Sequence, residues 1–246
     1  MKKHLSIILL SAWGLLAVVA WSAATCITAT HEDKKLVWAD EFDENGLPDP
    51  AKWGYDIGDG CPQNCGWGNN ELQYYTADNK ENARIENGHL IIEAHKEPIG
   101  TKEYSSARMV SKNKGDWTYG RMVIRAKLPQ GKGVWPAIWM LPTDWAYGAW
   151  PASGEIDIME FVGYMPDSLF GTVHTTNYNH VNGTQVSKSL YSNTLSSEFH
   201  QYAIEWDAKK IDFYFDGSKY LTFTNRKEGS AGWPFDRDFH MVLNMA

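Results

Sequence analysis

The sequence is short of basic residues and of cysteine. Its 246 residues contain 23 Lys and Arg against 30 Asp and Glu, which gives a formal net charge of -7. Nucleic-acid binders and proteins that dock on anionic membranes need a basic surface, so neither class fits. We therefore expect no nucleic-acid partner. With only 3 Cys, a disulfide-rich small scaffold is excluded as well.

Helical periodicity is also missing. No window of eleven or more residues keeps an apolar period of 3.6 residues. Short alternating segments such as "GRMVIRAKL" and "QYAIEWD" recur instead, and three dipeptides suit the type I′ turns of β-hairpins. These dipeptides are Asn87-Gly88, Asn182-Gly183 and Asp216-Gly217. We find no internal repeat or linker, so the sequence predicts an all-β domain, a sandwich of two antiparallel sheets.

The first 25 residues are typical of an export signal. Lys2 and Lys3 precede an apolar run, and small residues follow it. A membrane anchor is the alternative, because the run is nearly long enough to span a bilayer. Cleavage after Ala24 would leave Thr25 first, whereas a lipoprotein would begin at a lipidated Cys26, and both readings stay open. We expect a secreted, periplasmic or lipid-anchored protein, with residues 26–35 as a short tether and 36–246 as the domain.

Two further local features predict structure, one in a loop and one at the end of the sequence. The stretch "CPQNC" places Cys61 and Cys65 in a Gly-rich loop, which in an exported protein favours a short disulfide. A zinc half-site is the alternative, but no second Cys or His pair at ligand spacing supports it. At the other end, "DFHMVLNMA" is an apolar run without a polar tail. We expect from it a chain that lacks its last strand or two.

The stretch "GEIDIMEFVG", Gly154 to Gly163, holds three carboxylates, Glu155, Asp157 and Glu160. In a regular strand Glu160 would point away from the other two, because side chains alternate between faces. A one-residue β-bulge at Ile158-Met159 would return Glu160 to their face. The sequence therefore predicts a bulged strand with three acids in one row.

Three interpretations of this row compete. A solvated charged face is common for carboxylates, but Trp135, Trp139, Trp145 and Trp150 precede the motif closely. Calcium binding needs six to eight oxygens around the ion, which one row does not supply. Glycoside hydrolysis needs one carboxylate as nucleophile and one carboxylic acid as proton donor. An acid between them would keep the pKa of the donor high through like-charge repulsion. Catalysis fits best.

Several stretches resemble a known family. "LVWADEFD", "GWGNNELQYYT", "YGRMVIRAKLPQGKGVWPAIWMLP", "WPASGEIDIMEFVG", "GTVHTTNYNH" and "YAIEWDAKKIDFYFDG" resemble family 16 glycoside hydrolases, in the branch of bacterial laminarinases (endo-1,3-β-glucanases). The resemblance runs from Leu36 to Ala246. It implies a concanavalin A-like jelly roll with a concave substrate cleft and a retaining mechanism. Glu155 would be the nucleophile, Glu160 the acid/base and Asp157 the assisting acid.

The resemblance also implies binding residues. The cleft residues that match are Asn69, Arg108, Trp135, Trp139, Trp150 and His174. Trp139 has a core position as its alternative, and His174 a structural place at a strand end. The resemblance implies no cofactor for catalysis, but it implies a structural calcium ion near Glu41 and Gly88, completed by a carboxylate from a last strand. We expect a monomer whose partner is a β-glucan, with membrane attachment only through a lipid on Cys26.

Other functions compatible with the sequence are a mixed-linkage β-1,3-1,4-glucanase, an agarase or carrageenase of the same family, and a non-catalytic glycan-binding jelly roll. The extra residue in the motif disfavours the lichenase branch, whose motif lacks it. Enzymes for sulfated galactans need cations, and no Lys/Arg cluster lies near the cleft motifs. All three carboxylates are present, which disfavours the binder. The sequence predicts hydrolysis of β-1,3-glucan.

Overall fold

Strands make up nearly all the regular structure of residues 34–246, the part of the chain that the computed structural model describes. The predicted signal segment and Cys26 lie outside these residues. The strands are β1 Gly54–Tyr55, β2 Gln73–Thr76, β3 Ala83–Glu86, β4 His89–Ile92, β5 Tyr104–Val110, β6 Asp116–Trp117, β7 Gly120–Ala126, β8 Pro136–Pro142, β9 Glu155–Phe161, β10 Ser168–His174, β11 Val186–Tyr191, β12 His200–Trp206, β13 Lys210–Phe215, β14 Ser218–Thr224 and β15 Phe239–Met245. Two 3₁₀ helices, Cys65–Gly68 and His180–Asn182, complete the described elements. No helix among them has the length and apolar character needed to cross a bilayer.

The strands form two main sheets. The larger has the order β1-β5-β15-β8-β9-β10-β11, with β2 beside β5 and β6 beside β15, and the smaller has the order β14-β13-β12-β7. β3 and β4 form a separate hairpin. The prediction of an all-β sandwich is confirmed. One pairing departs from the antiparallel rule, because β2 runs parallel to β5.

The core lies between the two sheets. Strand β9 contributes Ile156, Ile158, Met159 and Phe161, and the smaller sheet contributes large side chains such as Trp206. Each of these five residues is at most 2% exposed. Complete burial of one such apolar side chain stabilises the fold by roughly 1.5–3 kcal/mol. Packing therefore fixes which face of β9 points inward.

Two of the three predicted hairpin turns are confirmed. Asn87 and Gly88 have φ of 52° and 75°, and Asp216 and Gly217 have φ of 46° and 77°, as type I′ turns require. The third prediction was wrong. Asn182 ends the short helix His180–Asn182, and Gly183 caps it in the left-handed conformation.

The connection around this helix is built by side-chain hydrogen bonds. The buried Asn179 side chain accepts from the backbone N–H of Asn182 and donates to the carbonyls of Thr175 and Thr176. A longer connection over residues 175–185 therefore replaces a two-residue turn between the paired strands β10 and β11. An Asn-Gly dipeptide alone did not distinguish the two structures.

The predicted β-bulge is confirmed. Along β10, Phe170 pairs with Glu160 and Thr172 pairs with Asp157, so Gly171 faces two residues of β9, Ile158 and Met159. On the other side of β9, the register against β8 shifts at the same place, between the partners of Met159 and Asp157. The extra residue places Ile158 and Met159 in the core and returns Glu160 to the face of Glu155 and Asp157. We call this side of the larger sheet the carboxylate face.

Candidate active site

Neighbouring strands supply the surroundings of the carboxylate row. β8 places Trp139 directly beside Asp157, and β10 places His174 beside Glu155 and Thr172 beside Asp157. His174 is the last residue of β10, as its structural alternative required, but its side chain also faces the acids. The His174 Nε2 atom lies 3.4 Å from Asp157 Oδ2, and both residues are buried.

Each glutamate of the row receives an indole hydrogen bond. Trp150 Nε1 donates to Glu155 Oε2 at 2.8 Å, and Trp135 Nε1 donates to Glu160 Oε1 at 3.3 Å. Such charge-assisted bonds fix the direction of a carboxylate and favour its ionised form. The structure therefore brings two of the sequence-predicted binding residues onto the acids themselves.

The acids of the row hold their protons strongly. Burial, followed by the charge of Asp157, raises the pKa of Glu155 well above its ordinary value. Burial, followed by the charge of Glu160, does the same for Asp157. Burial also raises the pKa of Glu160, against the opposing effects of His174, Trp135 and Thr172. Like charges this close oppose one another's ionisation, so the three carboxyl groups titrate as coupled sites.

Arg108 and Trp139 form a second part of the carboxylate face. The Arg108 guanidinium lies between two indole rings, 4.3 Å from the centroid of Trp67 and 4.7 Å from that of Trp139. It is 6% exposed and pairs with Asp56 at 3.0 Å. Trp139 is half-buried and packs against the cluster of Val110, Leu141 and Val242, so it combines a packing role with its place beside Asp157. Sequence reasoning missed Trp67 and Asp56.

A chain of hydrogen bonds fixes the Trp139 indole. Trp139 Nε1 donates to Asn244 Oδ1 at 2.8 Å, and Asn244 Nδ2 donates to the Tyr75 hydroxyl at 2.9 Å. Tyr75 and Gln73 in turn donate to Glu71 Oε2 at 3.0 and 2.6 Å. The only sequence signal for this chain is a polar Asn within the apolar run of β15. The partners lie on strands far apart in the sequence.

His180 is a further residue that sequence reasoning missed. Its ring packs 5.1 Å from that of Trp150 and 5.2 Å from that of His174, measured between centroids. Burial, and then the nearby His174, lowers the pKa of His180. The connection between β10 and β11 thus brings an exposed imidazole to the Glu155 end of the row.

Asn69 lies in the loop that carries the two cysteines. The structure joins Cys61 and Cys65 by a disulfide, and Asn69 follows the 3₁₀ helix Cys65–Gly68, its side chain exposed. Among the described residues no side-chain hydrogen bond or ion pair joins Asn69 to the acids, so its role as a binding residue stays a prediction. The loop does contribute Trp67 to the carboxylate face through Arg108.

Comparisons with known proteins agree with this geometry. Residues 70–245 match the family Glycosyl hydrolases family 16. The chain is 53% identical to a beta-glucanase of Rhodothermus marinus over 219 residues, which are 86% of this chain and 75% of that protein. The crystal structure of the laminarinase from Rhodothermus marinus superimposes with a TM-score of 0.83 at 52% identity, covering 86% of this chain and 85% of that one.

A third relative carries an oligosaccharide. It is a variant of a non-specific endo-beta-1,3(4)-glucanase from family GH16, co-crystallised with 1,3-beta-D-cellotriosyl-glucose. It is 44% identical, has a TM-score of 0.83, and covers 87% of this chain and 84% of its own. These matches confirm the predicted jelly roll. With its bulged carboxylate strand in place, the chain belongs to family 16 of the glycosyl hydrolases.

Proposed function

We propose that the protein is a retaining endo-β-glucanase that hydrolyses β-1,3-glucan of the laminarin type. The observation that carries the proposal is the β-bulge in β9, which puts Glu155, Asp157 and Glu160 on one face. Retaining hydrolysis needs two carboxyl groups roughly 5–5.5 Å apart on either side of one glycosidic bond. Two glutamates of one strand, flanking a shorter acid, supply that pair.

In the first step the Glu155 carboxylate attacks the anomeric carbon while Glu160 gives its proton to the glycosidic oxygen. The bond from carbon to the leaving oxygen breaks, and a glycosyl ester forms on Glu155. In the second step Glu160, now ionised, takes a proton from water, and the water oxygen displaces Glu155. The raised pKa of Glu160 supports its role as the proton donor.

Asp157 supports both steps from its place between the two glutamates. A proton on Asp157 lets it donate a hydrogen bond to Glu155, which leaves Glu155 ionised as a nucleophile must be. The Trp150 indole bond to Glu155 acts in the same direction. In the second step the same hydrogen bond from Asp157 stabilises the Glu155 carboxylate as it leaves the anomeric carbon.

The binding surface suits a neutral glucan. Indole rings stack on the apolar faces of glucose, and polar groups between them bind hydroxyls. Arg108 carries the guanidinium that the sequence predicted for the substrate cleft. Two indole rings enclose it, and Asp56 pairs with it. It is therefore a poor receptor for a sulfate, which disfavours carrageenan-type substrates.

Mixed-linkage β-1,3-1,4-glucan is the second candidate substrate. The related glucanase that is called non-specific for 1,3 and 1,4 linkages has the same fold at 44% identity. Reducing-sugar release from laminarin, lichenan and agarose separates the candidates. Fastest release from laminarin is expected. If lichenan releases reducing sugar as fast as laminarin or faster, mixed-linkage glucan becomes the proposed substrate. If none of the three polysaccharides releases reducing sugar, a non-catalytic glycan binder is favoured.

The residue roles have their own test. Glu155→Gln and Glu160→Gln should each lower turnover on the order of 10³-fold or more, while the exposed Glu198→Gln should change little. Azide should rescue Glu155→Ala and Glu160→Ala with an activated substrate, giving glycosyl azides of opposite anomeric configuration. Proton NMR of the first wild-type product should show the retained β-anomer, and an inverted product would rule out the double displacement.

We also propose the structural calcium ion, on the chemistry of its donors. Glu41 and Gly88 each offer a backbone carbonyl, a hard oxygen of the kind that calcium prefers. The chain near Glu41 is tied to the hairpin of Gly88, because Asn45 Oδ1 accepts from the Asn87 N–H at 3.0 Å. Two oxygens are only part of a calcium shell. A rise in Tm on adding calcium that EDTA reverses would support the site.

Export and a monomeric state remain proposals as well. Export is supported by the signal-like residues 1–25, with Cys26 either the lipidated first residue or the second residue of a mature chain that begins at Thr25. Fractionation of cells that express the full chain, with a Cys26→Ser variant beside it, tests the lipid anchor. Size-exclusion chromatography with light scattering tests the monomer.

A further inference from the structure

Three side chains of the carboxylate face offer a set of metal ligands. One ligand atom each from Glu155, Asp157 and His174 lies within 4.8 Å of the other two. Among them, His174 Nε2 and Asp157 Oδ2 are 3.4 Å apart. Bonds of roughly 2.0–2.2 Å to a tetrahedral ion place two ligands about 3.4 Å apart. This pair therefore already has the spacing of two zinc ligands.

Two buried polar atoms of this set, one on Asp157 and one on His174, lack hydrogen-bond partners among the described residues. Asp157 is 2% exposed and His174 is 6% exposed, yet Asp157 Oδ2 and His174 Nδ1 accept or donate no hydrogen bond among the described residues. A buried polar atom without a partner costs roughly 1–3 kcal/mol. A cation coordinated between Asp157 and His174 would recover that cost for the carboxylate oxygen.

The donor types select the ion. One imidazole nitrogen and two carboxylate oxygens suit Zn²⁺ or Cu²⁺, whereas Mg²⁺ and Ca²⁺ prefer shells of oxygen alone. Three protein ligands also leave a fourth position for water, as in zinc sites that are open.

We propose that Glu155, Asp157 and His174 form a binding site for one divalent transition-metal ion, and that the bound ion excludes the glucan. The ion would occupy the carboxylates that the hydrolytic reaction needs, so metal and substrate compete for one place. Binding of the ion concerns the protein alone. Only the competition with substrate rests on the proposed function, so the two fail separately.

Cobalt absorption tests the binding. Tag-free protein, with excess calcium to fill hard-oxygen sites, is titrated with Co²⁺, which absorbs strongly in the visible range only when four- or five-coordinate, and the Co²⁺ is then displaced with Zn²⁺. We expect one equivalent of Co²⁺ and of Zn²⁺ per chain. His174→Gln and Asp157→Asn should each lower the affinity at least tenfold, with unchanged near-UV circular dichroism showing that the variants fold. The matched control is His95→Gln, because His95 also faces a carboxylate, with Nε2 3.8 Å from Glu93.

Two outcomes would overturn the site. One is the absence of binding up to about 1 mM metal, where the binding free energy is only about -4 kcal/mol. The other is binding that is lost in His95→Gln and kept in both His174→Gln and Asp157→Asn.

For the competition, Zn²⁺ should raise the KM for laminarin without lowering kcat, and EDTA should reverse the effect. A metal that binds without changing KM would overturn the competition, while a chain that cleaves no glucan would overturn the proposed function and leave the binding result standing.

Discussion

The Tyr220 hydroxyl occupies the space that a side chain at Gly171 would need. A Cβ on Gly171 would lie 2.3 Å from the Tyr220 oxygen and 3.0 Å from Phe213 Cδ1. Gly171 is the residue that faces Ile158 and Met159 across the bulge. Tyr220 of β14, in the smaller sheet, therefore packs directly against the β-bulge that brings the three carboxylates onto one face.

Gly171→Ala should be destabilising through this contact. Overpacking of a close-packed core costs roughly 1–3 kcal/mol, measured as the free energy of unfolding in urea. Tyr220→Phe removes a buried hydroxyl that has no hydrogen-bond partner among the described residues, so it should be nearly neutral. The double variant should recover part of the loss. Gly54→Ala is the control, because its Cβ would make only ordinary contacts at 3.8 Å and beyond. Strict additivity of the two changes would contradict the contact.

Trp135→Phe should move the alkaline limb of the pH–activity profile. The Trp135 indole bond stabilises the ionised form of Glu160 and so lowers its pKa against the larger effect of burial. Without that bond the pKa of Glu160 rises further. Because Glu160 must be protonated to act as the acid, activity should persist to higher pH in the variant. The measurement is kcat/KM against pH, and a limb that moves toward acid would contradict the assignment.

Asp157→Asn should increase stability at neutral pH while it lowers activity. In the folded state burial and the charge of Glu160 raise the pKa of Asp157, so the folded state binds more protons than the unfolded state. The stability that the proton supplies is present at acid pH and is lost as pH rises through the folded pKa. Asparagine does not titrate. The unfolding free energy of the variant should therefore fall less steeply between mildly acidic and neutral pH than that of wild type. The exposed control Asp43→Asn should behave like wild type. Parallel plots of unfolding free energy against pH for Asp157→Asn and wild type would refute the argument.

Glu228→Ala should weaken substrate binding from outside the carboxylate face. Glu228 Oε2 accepts hydrogen bonds from Tyr178 at 2.8 Å and from Asn177 at 3.1 Å, and these residues begin the connection that carries His180 onto Trp150. Loss of these bonds should loosen the connection. We expect KM for laminarin to rise several-fold with a smaller change in kcat.

The conservative variant Glu228→Gln separates positioning from general stability, because its amide oxygen can still accept both bonds and should restore most of the KM. The exposed Glu198→Ala serves as the matched control. Identical kinetics in Glu228→Ala and Glu198→Ala would show that Glu228 does not act on the site.

The sequence predicted the part of the site that one strand encodes. The break in alternation at Glu160 required a bulge, and hairpin turns at Asn87-Gly88 and Asp216-Gly217 followed from residues that accept positive φ. Such features depend on neighbours within a few positions. They are therefore visible without knowledge of which strands lie side by side.

The contacts between residues that sequence reasoning missed depend on strand order. Arg108, Asn244 and Trp139 meet because β5, β15 and β8 are neighbours in the larger sheet, and no periodicity states that order. The parallel pairing of β2 with β5, which brings Tyr75 to Asn244, has the same origin. His180 was missed because an Asn-Gly dipeptide was taken for a tight hairpin, which hid the longer connection.

Deletion of Met159 tests the bulge directly. In a regular strand, removing one residue turns every later side chain to the wrong face and should unfold the sandwich. In β9 the deletion leaves "GEIDIEFVG", in which Glu155, Asp157 and Glu160 alternate normally onto one face. Gly171 then faces Ile158 alone, and Phe161 keeps its partner Leu169. The loss of one buried methionine side chain should cost about 2–5 kcal/mol.

We therefore expect the Met159 deletion to fold cooperatively and to retain measurable β-glucanase activity at a reduced rate or with a changed linkage preference. Adding Glu160→Gln should abolish what remains. The matched control is deletion of Ala203, which removes only a small side chain but lies in regular register with both β7 and β13. That control should be insoluble or lack a near-UV circular dichroism signal. If the two deletions behave alike, the extra residue of β9 is not what sets the carboxylate row, because a surplus residue is the one kind that a strand can lose without shifting its neighbours.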